Sequence, residues 1–158
     1  PTYIQNRLKF SPYIKDAMIV GGQEREFLFG IITIDFDNVG KWAEKKRLSY
    51  TTFVDLSQKQ EVYDLVEEDM VRVNKTLPEN ARVQRYTLLH KEFDPDEGEL
   101  TKSRKLRRGF LEERYGGLLS AAYGGAEDVE IEAEVKYRDG RVGKVKTNLK
   151  IRTSASGD

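Results

Sequence analysis

Apolar runs in the first ninety residues predict a small β-sheet. The segments YIKDAMIVGG and REFLFGIITID are rich in branched and aromatic residues, and a turn containing Gly22 separates them. A third run of this kind, ARVQRYTLLH, follows later in the chain. Together the three runs predict a three-stranded sheet.

Apolar residues spaced three and four positions apart predict helices that cover this sheet. A short helix is predicted from about Tyr3 to Lys9, with Thr2 as its N-cap, and a second over DNVGKWAEKKR. The clearest helix is predicted to begin at Ser57, because Ser57 and Gln60 have capping-box spacing. One apolar stripe then runs along it: Val62, Leu65, Val66, Met70, Val73 and Leu77.

The last third of the chain changes from helical to strand periodicity. A helix is predicted to start near Ser103 and to be weakened at Gly116 and Gly117. Strict alternation of apolar and charged residues then predicts a hairpin over residues 126–152. The pattern therefore predicts an α+β fold: a three-stranded sheet covered by helices, followed by a helix and a C-terminal β-hairpin.

The apolar face of the hairpin decides its register. A two-residue turn at Asp139-Gly140 would place apolar residues opposite lysines. A three-residue loop over 138–140 avoids this, because a slip of one residue turns a whole strand over. It also gives Gly140 the left-handed conformation that such loops need. The predicted pairs are Ala133 with Val145, Ile131 with Thr147, and Val129 with Leu149.

Composition excludes several kinds of site. The 158 residues contain no cysteine, so disulfides, thiolate metal sites and cysteine nucleophiles are excluded. His90 is the single histidine, and we interpret it as structural or solvent-facing rather than as a catalytic base. The Asp35-x-Asp37 pair is interpreted as charge at a helix N-terminus. The acidic loop KEFDPDEGEL is interpreted as solvated, and no metal site is predicted. The apolar runs are too short to span a bilayer.

The segment LTKSRKLRRGF concentrates positive charge in an otherwise neutral chain. Five of the seven residues from Lys102 to Arg108 are basic, whereas the whole chain balances 27 basic against 27 acidic residues. The segment could bind nucleic acid or anionic lipid, form a solvated helix face, or place one cation against a phosphate. Nucleic acid usually needs cations spread over a wide track with stacking aromatics, which this compressed cluster lacks.

The order of residues in this segment resembles the closing motif of the adenylate-forming superfamily, Pro-Lys-Thr-x-Ser-Gly-Lys-Ile-x-Arg. The matching residues in LTKSRKLRR are Thr101, Ser103, Lys105, Leu106 and Arg108. The departures are Glu99 for the proline, Leu100 for the first lysine and Arg104 for the glycine.

A second segment strengthens this resemblance. IQNRLKFSPYIKDAMIVG is similar to the stretch that opens the C-terminal domain of this family, with Gln5 in place of the usual acid. GELT followed by KLRR is in the style of the long-chain fatty acid branch. With both segments in the family's order and spacing, the similarity covers about residues 1–125.

The resemblance implies the mobile C-terminal domain of a long-chain fatty acid–CoA ligase over residues 1–125, a hairpin extension over 126–152 and a flexible tail over 153–158. Such an enzyme joins fatty acid to CoA through an acyl-adenylate. Lys105 would be the adenylation lysine, and Thr101, Ser103 and Arg108 would support its segment. We expect the chain to be inactive by itself.

The same resemblance implies the substrates and partners. ATP with Mg²⁺ and CoA would be bound mainly by a large N-terminal domain of the same polypeptide, which would also hold the long-chain fatty acid. No nucleic acid partner is expected, and the location implied is cytoplasmic, with peripheral membrane association open to the full enzyme. The alternative interpretation is a noncatalytic module that binds nucleic acid or anionic lipid through residues 102–108.

Overall fold

The computed structural model describes residues 2–22, 25–136 and 140–156, which form six α-helices and five β-strands. Two short 3₁₀ helices cover Glu79–Ala81 and Pro95–Glu97. The α-helices and strands in chain order are α1 (Thr2–Leu8), β1 (Ile14–Val20), β2 (Leu28–Ile34), α2 (Phe36–Lys45), α3 (Phe53–Ser57), α4 (Gln60–Asn74), β3 (Val83–Leu88), α5 (Arg108–Arg114), α6 (Gly116–Tyr123), β4 (Asp128–Lys136) and β5 (Val142–Thr153).

All five strands join one mixed sheet in the order β1-β2-β3-β5-β4. β1 and β2 are antiparallel, and β2 and β3 are parallel. The end of β5 then pairs antiparallel with β3, from Arg85 opposite Thr153 to Thr87 opposite Ile151. The α+β class agrees with the prediction, but the three-stranded sheet was wrong. The hairpin joins the sheet because the last residues of β5 extend beyond the end of β4.

The hairpin has the predicted register. Ala133 lies opposite Val145, Ile131 opposite Thr147 and Val129 opposite Leu149. Gly140 has a φ of 89°, the left-handed conformation expected there. The other two residues of the predicted loop, Arg138 and Asp139, lie outside the described residues. The pairing confirms the predicted register.

Two apolar cores lie on opposite faces of the sheet. Ile32 and Ile34 of β2 face a core built with α1 to α4, whose stripe residue Met70 is fully buried, as predicted. Phe29 and Ile31 of the same strand face a second core built with α5 and α6. Because helices cover both faces, β2 is apolar almost throughout instead of alternating.

The predicted start of the clearest helix was wrong. Ser57 ends the short helix α3, and its hydroxyl donates to the Val54 carbonyl at 3.1 Å. α4 begins at Gln60 with Lys59 as N-cap and no side-chain cap bond. Thr52 instead caps α3, since its Oγ1 accepts from the Asp55 N–H at 3.0 Å. Thr2, predicted as an N-cap, is the first residue of α1.

Side chains of α4 and the loop before it fasten β5 to β3 beyond their ladder. The Tyr63 hydroxyl donates to the Lys150 carbonyl at 2.8 Å and accepts from the Leu88 N–H at 3.0 Å. The Gln58 amide bonds both Lys150 N–H, at 2.9 Å, and the Leu88 carbonyl, at 2.7 Å. These bonds satisfy backbone groups that no strand partner reaches.

The segment predicted to be a flexible tail, 153–158, is attached to the fold through residue 156. The Ser154 N–H donates to the Gln84 carbonyl at 2.8 Å, and the Ala155 N–H donates to the Glu67 carboxylate at 2.9 Å. Asn74 of α4 bonds the Ser156 hydroxyl at 3.0 Å. Residues 157–158 lie outside the described part of the chain.

Candidate functional site

The basic segment forms a tight turn with Lys105 exposed at its end, instead of the start of a helix. The Thr101 N–H donates to the Lys105 carbonyl at 2.9 Å, and the Lys105 N–H donates to the Thr101 hydroxyl at 3.0 Å. The hydroxyls of Thr101 and Ser103 lie 3.2 Å apart. The predicted helix start near Ser103 was therefore wrong, because the Thr101 side chain bonds the backbone in place of a helical partner.

Two leucines hold the stems of this turn in the second core. Leu100 and Leu106 form an isolated antiparallel bridge. Leu100 is buried and Leu106 is half-buried against the same core, whereas residues 101–105 are all exposed. Next to this bridge, the Arg107 N–H donates to the Glu99 carbonyl at 3.1 Å. Five polar residues between two leucines are the sequence signal of this turn, and the helical interpretation missed it.

Arg108 connects the turn to the N-terminal segment that shares the family resemblance. It is the first residue of α5, and its guanidinium donates to the Gln5 side-chain oxygen at 2.9 Å and to the Ile19 carbonyl at 2.7 Å. The same Gln5 oxygen accepts from the Ile19 N–H at 3.1 Å. The two segments recognised in the sequence therefore contact each other through one side chain from each.

The other arginines of the cluster have different roles. Arg107 donates to the Gly98 carbonyl at 2.9 Å, and its guanidinium lies 5.2 Å from the centre of the Phe110 ring. Arg104 has a φ of 63°, a left-handed conformation that favours glycine. Lys102, Arg104 and Lys105 are exposed. The five cations therefore do not form one uniform face.

A buried carboxylate at the base of the turn was missed by the sequence reasoning. Glu99 is fully buried, although the acidic loop was interpreted as solvated. Its carboxylate accepts from Lys91 Nζ, from the Tyr115 hydroxyl and, at 3.0 Å, from the Asp94 N–H. Arg114 Nε lies 3.4 Å away. A buried carboxylate needs such cations and donors, so this network fixes where the turn begins.

The single histidine lies beside this network. Of the two roles predicted for it, structural or solvent-facing, its position fits the structural one. His90 is 9% exposed, and burial together with the charges of Lys91 and Arg114 lowers its pKa to about 4. Burial and the hydrogen bond to Glu99 raise the pKa of Tyr115 above its usual value. At neutral pH His90 is therefore uncharged and Tyr115 keeps its proton.

No group of three or more acidic or histidine side chains in the described residues is placed to hold a metal ion. Asp35 caps α2 by accepting from the Asn38 N–H at 3.0 Å, which confirms its assignment to a helix N-terminus. Trp42 packs against the first core, as an anchor for its helix would. Among the described residues no helix is long and apolar enough to cross a membrane.

The curated proteins that are similar to this chain include two long-chain-fatty-acid–CoA ligases. No family model matches the chain. It is 23% identical over 124 residues to the long-chain-fatty-acid–CoA ligase FadD15 of Mycobacterium tuberculosis, covering 78% of this chain and 20% of that protein. It is 28% identical over 141 residues to the human long-chain-fatty-acid–CoA ligase ACSBG1, covering 78% of this chain and 19% of that protein. At this low identity, these relatives support a fragment of an adenylate-forming enzyme. It spans about a fifth of the length of these curated relatives.

Solved structures show the same fold in related adenylation domains. The A-PCP didomain of carboxylic acid reductase from Segniliparus rugosus, in complex with AMP, has a TM-score of 0.60 at 15% identity, covering 78% of this chain and 16% of that one. The adenylation domain of the carboxylate reductase from Mycobacterium chelonae has a TM-score of 0.59 at 21% identity, covering 78% and 17%. The adenylation domains of these reductases therefore share the fold of this chain.

Proposed function

We propose that this chain is the mobile C-terminal lid of a long-chain fatty acid–CoA ligase and that Lys105 is its adenylation lysine. The observation that carries the proposal is the exposed turn at the motif: buried Leu100 and half-buried Leu106 hold its stems, while Lys105 extends into solvent. Thr101, Ser103 and Arg108 would fix the backbone of the turn. ATP with Mg²⁺, the fatty acid and CoA would be held mainly by the N-terminal part of the longer polypeptide.

The chemistry of the lysine suits this role. Adenylation brings a carboxylate against the α-phosphate of ATP, so two anions approach while negative charge moves between oxygens. A lysine ammonium is a compact charge on a flexible stem and tolerates this changing geometry. A fixed cation at such a site is often the largest catalytic contribution. A lysine on a rigid exposed turn can be moved in and withdrawn with its domain.

The alternative is a noncatalytic module that binds nucleic acid or anionic lipid through residues 102–108. The geometry favours the lid, because Arg107 and Arg108 bond backbone and side-chain oxygens of the fold itself. Three exposed cations remain on the turn, which is few for a phosphate track. Retention of the chain on heparin that collapses with modest salt, together with normal adenylation by Lys105→Ala, would favour the module.

Lys105→Ala in the full-length polypeptide tests the proposed role directly. We expect acyl-adenylate formation to fall by roughly a hundredfold or more, the scale for losing one preorganised charge. Thioester formation from supplied acyl-adenylate and CoA should change much less. Lys105→Arg should rescue poorly, because a planar guanidinium does not replace a point charge. ATP–pyrophosphate exchange and acyl transfer are measured separately.

Lys102→Ala is the matched control, because Lys102 is another exposed cation of the same turn. It should leave both half-reactions nearly unchanged. If Lys105→Ala lowers both half-reactions equally, Lys105 only stabilises the domain. The 158-residue chain alone should show no ATP–pyrophosphate exchange with any fatty acid, and exchange above background there would contradict the lid proposal.

A further inference from the structure

The outer edge of β4 offers backbone hydrogen-bonding groups in a known order. β4 is the last strand of the sheet, and no strand among the described residues pairs with its outer side. The bond from the Ile151 N–H to the Glu127 carbonyl, at 2.8 Å, sets the alternation of the β4–β5 ladder. Odd-numbered residues of β4 therefore bond β5, and the N–H and C=O groups of Asp128, Glu130 and Glu132 point away from it.

These outward-pointing residues are also the acidic ones. Asp128, Glu130 and Glu132 are exposed on one face of the hairpin, and Lys150 and Lys146 lie opposite the first and the third. The acidic row thus has basic residues beside it on the β5 side. Arg114 of α5 lines the same cavity as Glu130 and Glu132, so one cation of the fold lies near this row. A strand added there would gain from lysine or arginine next to Glu130 and Glu132 and would lose from acidic residues.

A cavity of about 380 Å³ lies along the same edge. Its wall includes residues 129–132, and Leu118 and His90 line it from α6 and from the loop after β3. The imidazole is buried, yet its Nδ1 has no hydrogen-bond partner among the described residues. A buried polar atom without a partner costs free energy, so a group that bonds Nδ1 would be favoured in this cavity. The site thus combines an open strand edge with a partly polar pocket.

We propose that the β4 edge binds an extended peptide segment of a partner protein, which adds to the sheet as a further strand. Its backbone would bond the free groups of Glu130 and Glu132, and its lysine or arginine residues would lie beside their carboxylates. A small apolar or hydroxyl-bearing side chain on the alternate face would enter the cavity at His90. Strand addition of this kind takes affinity from the backbone and specificity from the alternate side chains.

Charge disfavours a second copy of this chain that pairs through its own β4 edge. Two β4 edges paired with each other would bring two acidic rows side by side. The outer side of β5 is closed at Lys150, whose N–H and C=O already bond Gln58 and Tyr63. The partner strand instead resembles β5 in pattern, with basic residues alternating with apolar ones. Strand addition at β4 does not depend on the adenylation proposal.

The probe is a fluorescein-labelled peptide VGKVKTNLK, the sequence of residues 142–150, which already pairs with the inner side of β4. Fluorescence polarisation with the 158-residue chain should show saturable binding with a dissociation constant of roughly 100 μM. The matched peptide VGEVETNLE, which carries acids in place of the lysines, should bind at least tenfold more weakly. Equal binding of the two peptides would overturn the proposal.

A proline on each strand locates the binding edge. Glu132→Pro removes an N–H that points away from β5, so the hairpin ladder is kept while the outer edge is blocked. We expect it to weaken peptide binding by more than tenfold. Lys146→Pro likewise removes an N–H that points away from the ladder, on the opposite side of the hairpin, and should leave binding unchanged. Far-UV circular dichroism checks that both variants are folded.

Two further outcomes would overturn the proposal. If Lys146→Pro weakens binding and Glu132→Pro does not, the peptide occupies β5 instead. If sedimentation shows that the chain self-associates and the self-association is lost in Glu132→Pro, a second copy occupies the edge. Glu132→Gln keeps the edge but removes one charge, and it should weaken binding about twofold to fivefold.

Discussion

Arg104 adopts a backbone conformation in which glycine would be less strained. Its φ is 63°, and it stands where the family motif usually has glycine. The left-handed conformation costs a residue with a side chain about 1–2 kcal/mol. Glycine avoids this cost but loses more conformational entropy on folding, about 0.5–1 kcal/mol. We expect Arg104→Gly to raise the free energy of unfolding by about 0.5 kcal/mol, measured by urea denaturation.

Lys102→Gly is the control for this prediction, because Lys102 is exposed in the same turn and has no positive φ. Glycine there should lower the free energy of unfolding by about 0.5–1 kcal/mol. A change of the same sign in both variants would show that the left-handed φ is not the cause.

His90 is the single histidine of the chain, so its protonation can be observed directly. Burial and two neighbouring cations lower its pKa to about 4, against about 6.5 in an unfolded chain. The folded state therefore favours the neutral ring. The stability from this preference is complete above pH 6.5 and is lost as pH falls toward 4. The histidine NMR resonance should titrate with a midpoint near pH 4.

His90→Gln removes this contribution and isolates it from other groups that titrate in acid. The difference in free energy of unfolding between the two proteins should be constant above pH 6.5 and should shrink by up to about 3 kcal/mol as pH falls to 4. A resonance midpoint near 6.5 would mean that the ring is solvated.

Glu99 should contribute more to stability than any exposed acidic residue, because its carboxylate is fully buried between Lys91 and Arg114. Glu99→Gln leaves those two cations without their shared anion. We expect a loss of about 2–4 kcal/mol in the free energy of unfolding. Glu112→Gln, which breaks a half-exposed pair with Arg25, should cost less than about 1 kcal/mol. Denaturant unfolding that gives similar losses for both would contradict the buried network.

β5 is the strand whose pairing differs most from the sequence-based prediction. Its first nine residues pair with β4, and its last three pair with β3. The sequence pattern was sufficient for the β4 register, since an apolar face next to a charged face allows one alignment. Pairing with β3 had no such signal. It depends on side chains of α4 and of the connection before it, which meet the strand only after the chain has folded.

Tyr63 is the clearest of these side chains, and removing its hydroxyl tests the fastening of β5. In Tyr63→Phe the Leu88 N–H loses its partner, and the Lys150 carbonyl keeps only its bond from the Thr87 hydroxyl at 2.7 Å. An unsatisfied buried group costs about 1–3 kcal/mol, so thermal unfolding should occur several degrees lower. Hydrogen exchange should increase at Leu88 more than in β1, which is the internal control. Equal increases in both strands would indicate general loosening.

At the scale of the whole molecule, the order of two motifs allowed more to be predicted than periodicity did. The family resemblance rests on short segments that the fold joins through Arg108 and Gln5. Local patterns failed where a side chain competes with the backbone, as Thr101 does in the turn and Ser57 does at the end of α3. Glu99 was missed because a charged residue in an acidic loop gives no sign of the cations that come from other elements.

The position of β5 near the middle of the sheet has a consequence for the protein during synthesis. β3 leaves the ribosome before β5, which is made about 65 residues later. At ordinary rates of translation this is a delay of several seconds. During that time the nascent chain has an open β3 edge and an uncovered second core, which lacks Leu149 and Ile151. A stalled or shortened product that lacks β5 would expose these surfaces to chaperones and proteases.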